Sequence, residues 1–143
     1  MKSKNIFLIR HGEIGVSGQK RYIGVTDLPL NISGVLQANK LKIFFEGVSL
    51  DQIFCSDLQR SVQTAQIIAT NKNIEIKKLE ELREINMGNW EGKSFKEIKE
   101  KFPSEFITRL DKIENFKTYG GESFRQCQLR AINIFSEIAK GPG

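Results

Sequence analysis

Ile6-Phe7-Leu8-Ile9-Arg10-His11-Gly12-Glu13 sets four apolar residues directly before an Arg-His-Gly-Glu quartet, and His11 is the only histidine in 143 residues. Four apolar residues without alternation read as a short strand buried on both faces, of the kind that fills a parallel α/β sheet. The quartet then falls at the strand's carboxyl end, where open α/β sheets place their ligand crevices. Everything else in the chain is read outward from that point.

Segments of alternating character follow. Gly15 to Asp27 is polar and Gly-rich and ends near Pro29, a long surface loop and a candidate binding loop. Ser33 is placed to cap a helix whose apolar positions are Val35, Leu36, Ala38, Leu41, Phe44 and Phe45, with Gly47 as its stop. Gln52 to Cys55 reads as a second strand. Asp57 opens a second helix with Leu58, Val62, Ala65, Ile68 and Ala69 on one face and Arg60 in its first turn. Ile74 to Leu79 alternates as a third strand, so the β-α-β-α-β order predicts a mainly parallel sheet in an α/β/α three-layer domain spanning 1–143. Beyond Trp90, Ser94 and Glu97 form a capping box for a short helix ended by Pro103, and another helix is expected from Ser104 to Ile113. Gly120-Gly121-Glu122-Ser123 precedes a longer helix with Phe124, Cys127, Ala131, Ile134, Phe135 and Ile138 on one face.

Composition narrows the function classes. Lys and Arg total 22 against 17 Asp and Glu, but the basic residues are scattered through helical segments, which argues against nucleic acid as a partner. No stretch approaches membrane-spanning length and the N-terminus lacks a signal peptide's apolar core, so a cytoplasmic protein is expected. Cys55 and Cys127 have no metal-ligand spacing and read as core thiols.

The residues with chemistry to offer lie just beyond strand ends: Arg10 and His11 after the first, Arg60 after the second, Glu84 after the third. A parallel sheet would gather those ends. Two guanidiniums would then grip a phosphoryl group through charge-assisted hydrogen bonds while a neutral imidazole attacks phosphorus. Glu84 would protonate the leaving alcohol and later deprotonate water, a role that calls for partial burial. Glu80, Glu81 and Glu91 read as solvated charges, Met87 and Trp90 as packing, and Glu13 and Glu122 as residues behind the reacting groups.

On these residues the chain resembles the histidine phosphatase superfamily, the phosphoglycerate mutase-like enzymes. Arg10-His11-Gly12-Glu13 is similar to the family signature, with His11 at the phosphohistidine position, and Tyr22 to Leu30 to the loop that follows it. Ser56 to Ala65 resembles the segment with the second phosphate-binding arginine, Leu82 to Gly92 the acid-bearing segment, and Gly120 to Ser123 the turn before a long helix. Within the family the likeness is to the compact phosphatase branch that includes alpha-ribazole phosphatases. The resemblance implies hydrolysis of a small phosphomonoester without metal or other cofactor. It assigns catalysis to His11, Glu84, Arg10 and Arg60, with Ser17, Ile23 and Gly24 joining Arg10 and Arg60 in holding substrate.

Three departures stand out. Ile14 and Ser17 replace the Thr and Asn common in the first loop, and Tyr119 replaces a proline before Gly120. The family's second catalytic histidine, which follows a further strand, has no counterpart in this chain. Losing one preorganised donor costs on the order of 100- to 1000-fold in rate. The expectation is therefore the N-terminal part of a longer enzyme, missing its C-terminal strands, with Ile6 to Ile9 left as an open edge through which copies associate. A phosphoglycerate mutase-like phosphotransferase and an inactive phospho-ligand binding module are the alternatives. The spacing argues against a cysteine-based phosphatase: protein-tyrosine-type enzymes set five residues between cysteine and arginine, and Cys55 and Arg60 enclose four.

Overall fold

The structure, a computed structural model, describes residues 4–16 and 18–141. Their contacts group into two compact units. One contains the residues up to Gly15, Asp27–Glu80 and the residues from Lys140 on; the other contains Val16–Thr26 and Glu81–Ala139.

The first unit carries α1 (Ile32–Phe44), β1 (Ile53–Cys55), α2 (Gln59–Ile68) and β2 (Ile76–Lys78). β1 and β2 pair in parallel, with Ile53 opposite Ile76 and Cys55 opposite Lys78. Parallel neighbours need a crossover, and α2 supplies it while packing on both strands and on α1. The expected apolar face of α2 is the one that packs: Leu58, Ala65 and Ile68 are buried. The α/β class and the parallel pairing thus stand as expected.

Three local expectations are corrected. Ile6 to Ile9 form no strand ladder; Leu8 is 83% exposed, and Ile6, Phe7 and Ile9 are also exposed although Phe7 meets Phe45 edge-on at 5.2 Å. An apolar run records a demand for burial, but a strand exists only where a neighbour's backbone completes the ladder. The parallel sheet among the described residues accordingly has two strands, not three.

Helix α1 is capped by Asn31 and not Ser33: the Asn31 Oδ1 accepts the Gly34 N–H at 2.7 Å, while its Nδ2 is held by Glu13 Oε1 at 2.9 Å. A cap must sit three residues before the donor it satisfies, which leaves Ser33 inside the first turn. Helix α2 begins at Gln59, two residues after the expected Asp57, and its N-cap Leu58 has no side chain able to cap. The missing acceptor comes from Asp27, whose Oδ1 takes the Gln59 N–H at 2.7 Å.

The second unit is built around Trp90, which is fully buried with Tyr22, Ile85, Met87 and Ile98, and with Phe102, Phe106, Phe116 and Cys127 packed against them. Ser94 opens α3 (Phe95–Lys101) with the expected capping box. Pro103, expected to end that helix, also starts α4 (Pro103–Asp111), because its fixed φ and missing N–H suit a first helical position. Of the apolar positions expected to line α5 (Phe124–Lys140), none is buried; Cys127 joins the core, whereas Phe124 and Phe135 are exposed. Val35, Leu36 and Phe44 of α1 are exposed as well. Periodicity shows which residues share a stripe, not what surface covers it. No helix among the described residues is long and apolar enough to cross a membrane.

Candidate active site

In the first unit, the segment bearing Arg10 and His11 runs against the first turn of α1. A Cβ on Gly12 would lie 2.4 Å from the Gly34 carbonyl oxygen, and one on Gly34 would lie 2.0 Å from that of Glu13. Both positions therefore require glycine, because no side chain fits between two backbones this close. Glu13 helps fix the crossing: its carbonyl accepts the Asn31 N–H at 3.0 Å and its N–H donates to Gln37 Oε1 at 2.8 Å.

Thr64 joins this segment to α2. Its Oγ1 accepts the Gly12 N–H at 3.3 Å and donates to the Arg60 carbonyl, one turn earlier, at 2.8 Å. The backbone beside His11 is thereby tied to the turn that carries Arg60. Arg60 is only 2% exposed, so it is not the surface helix residue its place in a polar first turn would permit. A guanidinium keeps its charge when buried, which makes Arg60 a fixed cation in the first unit. Arg10 is exposed and His11 half-buried.

The His11 ring has a defined polarity. Its Nδ1 lies 2.7 Å from the Gly12 carbonyl oxygen, which can only accept, so the neutral ring carries its proton on Nδ1 and the lone pair on Nε2.

In the second unit, Glu84 follows the 3-10 turn Glu80–Leu82, and its Oε1 accepts the N–H of Ile85 at 2.9 Å. It is exposed, which corrects the expectation of partial burial. A short segment has bent the side chain back onto its own backbone instead of burying it. Ile23 is half-buried and Gly24 buried; a Cβ on Gly24 would lie 1.9 Å from the Ile85 carbonyl oxygen, so the loop packs too closely there for any other residue. Ser17 lies outside the described residues.

Glu91, read as a solvated charge, is instead the acceptor on which this loop converges. Its carboxylate takes the N–H groups of Gly24 at 3.1 Å, Val25 at 2.9 Å, Thr26 at 3.2 Å and Met87 at 3.0 Å, together with the Thr26 hydroxyl at 2.5 Å. Burial alone would push the Glu91 carboxyl up, but these hydrogen bonds outweigh it and hold the group below its ordinary value. A group whose folded pKa is depressed stabilises the fold above its unfolded value and loses that contribution as pH falls through the folded one. Glu91→Gln should therefore cost about 1–3 kcal/mol at neutral pH, with amide hydrogens facing N–H donors. In urea titrations the gap to wild type should stay constant from about pH 7 to 5 and close below about pH 4, as the wild-type carboxylate is protonated. A gap that persists at low pH would contradict this account.

The sequence reading missed Thr64 and Glu91. Thr64 had a signal, since it stands four residues from Arg60 and so on the same helix face. Glu91 had only its place between Trp90 and Gly92 in a short turn. Cys55 is buried in β1, and burial pushes its thiol up with Lys78 opposing, which leaves it unsuited to nucleophilic work. Among the described residues no group of three or more His, Cys, Asp or Glu side chains is placed to hold a metal ion.

Comparison with known proteins bears on the fold and the family. The structure superposes on the crystal structure of the alpha-ribazole phosphatase from Shigella flexneri with a TM-score of 0.85 at 25% identity, covering 92% of this chain and 65% of that one. The fold is therefore that of the phosphoglycerate mutase-like α/β proteins. Residues 6–143 match the histidine phosphatase superfamily (branch 1), and the chain belongs to that family. Phosphoserine phosphatase 1 of Hydrogenobacter thermophilus is 33% identical over 135 residues, 94% of this chain and 64% of the relative. The adenosylcobalamin/alpha-ribazole phosphatase of Escherichia coli K12 is 25% identical over 135 residues, 94% of this chain and 66% of the relative. The chain thus spans just under two thirds of the length of these curated relatives.

Proposed function

We propose that the chain hydrolyses a small phosphomonoester through a phosphohistidine on His11. The observation that carries the reading is the Thr64 link, which ties the backbone next to the His11 ring to the turn holding a buried guanidinium. In the first step Nε2 attacks phosphorus, the bond from phosphorus to the ester oxygen breaks, and Glu84 gives its proton to the leaving alcohol. In the second, Glu84 takes a proton from water as the water oxygen displaces the imidazole, releasing inorganic phosphate. Arg10 and Arg60 balance the charge on the phosphoryl oxygens in both steps. The backbone at Ile23 and Gly24 would approach the substrate.

Membership of a phosphatase family and the relatives named alpha-ribazole phosphatases support this reading, and make alpha-ribazole phosphate the first specific substrate to test. Rapid quenching of the full chain with an excess of phosphomonoester should leave an alkali-stable, acid-labile phosphoryl group on His11, located by mass spectrometry. Turnover with no such adduct, or an adduct on another residue, would refute the mechanism. Phosphate binding without adduct or turnover would favour a binding module.

A further inference from the structure

Arg130 lies on α5, eight residues past Glu122, and its guanidinium gathers the backbone on both sides of Glu84. Nη1 donates to the carbonyl oxygens of Glu81 at 2.6 Å and Arg83 at 2.9 Å, directly before it. Nη2 and Nε donate to the Glu122 carboxylate at 2.5 and 3.3 Å. Glu122 passes the constraint to the other side: its Oε1 accepts the Asn86 N–H and its own N–H donates to the Asn86 carbonyl, each at 3.0 Å. The pair is shielded, with the Arg130 and Glu122 side chains 24% and 20% exposed. Glu84 accepts the N–H of Ile85 through its Oε1, and its carboxylate also lies within electrostatic reach of the Arg130 guanidinium. Its direction is thus set by backbone that Arg130 and Glu122 hold.

We propose that Arg130 is a positioning residue for proton delivery by Glu84, acting through the carbonyls of Glu81 and Arg83 and through Glu122. The inference rests on the reading of Glu84 as the acid and deepens it. A planar guanidinium is needed, because one ammonium cannot meet two carbonyls and a carboxylate in fixed directions. Nothing in the helical periodicity sets Arg130 apart from the other surface cations.

The test compares Arg130→Met, Arg130→Lys and Glu84→Gln in the full chain on two substrates. One is 4-nitrophenyl phosphate, whose leaving group departs with little protonation; the other is a simple alkyl phosphate, whose leaving group needs it. Arg130→Met should lower kcat/KM, which reports the first phosphoryl transfer and not the later attack of water, by about 100-fold for the alkyl ester, the scale of a misplaced catalytic group, and by about 3-fold or less for the aryl ester. Arg130→Lys should fall between. Adding Arg130→Met to Glu84→Gln should cause no further loss, because the two act as a unit. Amide exchange at Ile85 and Asn86, which needs no turnover, should quicken at least about tenfold in Arg130→Met.

Equal losses on both esters, additivity with Glu84→Gln, or unchanged exchange would each overturn the role of Arg130. If Arg130→Met does not fold, Arg130→Lys carries the same comparison. Full alkyl-ester activity in Glu84→Gln would instead overturn the reading of Glu84, a result distinct from any failure of Arg130.

Discussion

His11→Ala should reduce hydrolysis of an aryl phosphate by the full chain by on the order of 1,000-fold or more, with a chelator leaving the wild-type rate unchanged. The size follows from the proposed mechanism: with no Nε2 there would be no covalent intermediate, and the difficult displacement would no longer be divided in two. The protein should remain folded. His11 is half-buried and belongs to no core cluster among the described residues, so its thermal midpoint should move little. His11→Gln gives a further check, since it keeps a hydrogen-bonding group near the Gly12 carbonyl but offers no nucleophile. Near-wild-type turnover in either variant would remove His11 from the mechanism. A wild-type rate abolished by chelator would point to metal-assisted chemistry instead.

Trp90→Ala should destabilise the protein by about 3–5 kcal/mol, the range for deleting a buried aromatic side chain. Trp90 is fully buried; its ring lies 5.1 Å from that of Tyr22 and 5.5 Å from that of Phe116. The substitution would leave a cavity between residues that hold the 22–26 loop and the Glu84 to Glu91 segment in one unit. Trp90→Phe should cost much less than the lost area suggests, because the buried Nε1 has no hydrogen-bond acceptor and its removal forfeits none. Urea unfolding of both variants decides the matter. A loss below about 1 kcal/mol in Trp90→Ala would mean that the surrounding aromatics collapse into the space.

How far the sequence is legible depends on the range over which each feature is determined. The Ser94 and Glu97 capping box and the apolar face of α2 are local, and both form as read. Arg60 was marked out by its motif, and its burial separates it from ordinary surface arginines. Ile6 to Ile9 failed because a strand is a property of two segments, and an apolar run specifies only one. The same limit hid Glu91: composition counts a carboxylate as a charge, while its surroundings depend on N–H groups contributed from 24–26 and from Met87. Arg130 was equally invisible, since the carbonyls it meets lie 47 and 49 residues away.

The cap on α2 has a consequence for the order in which the chain folds. Starting a helix is its unfavourable step, and α2 begins at Gln59 with neither a capping side chain on Leu58 nor an acidic residue in its first turn. Its acceptor, Asp27, lies 32 residues upstream, so the bond that steadies the first turn forms only after the intervening chain has closed on itself. Closure of that loop carries an entropic cost before any return. The start of the helix bearing Arg60 is therefore steadied by a residue of the loop ahead of α1. A ribosome that has released the chain as far as residue 68 has already supplied both ends of that contact.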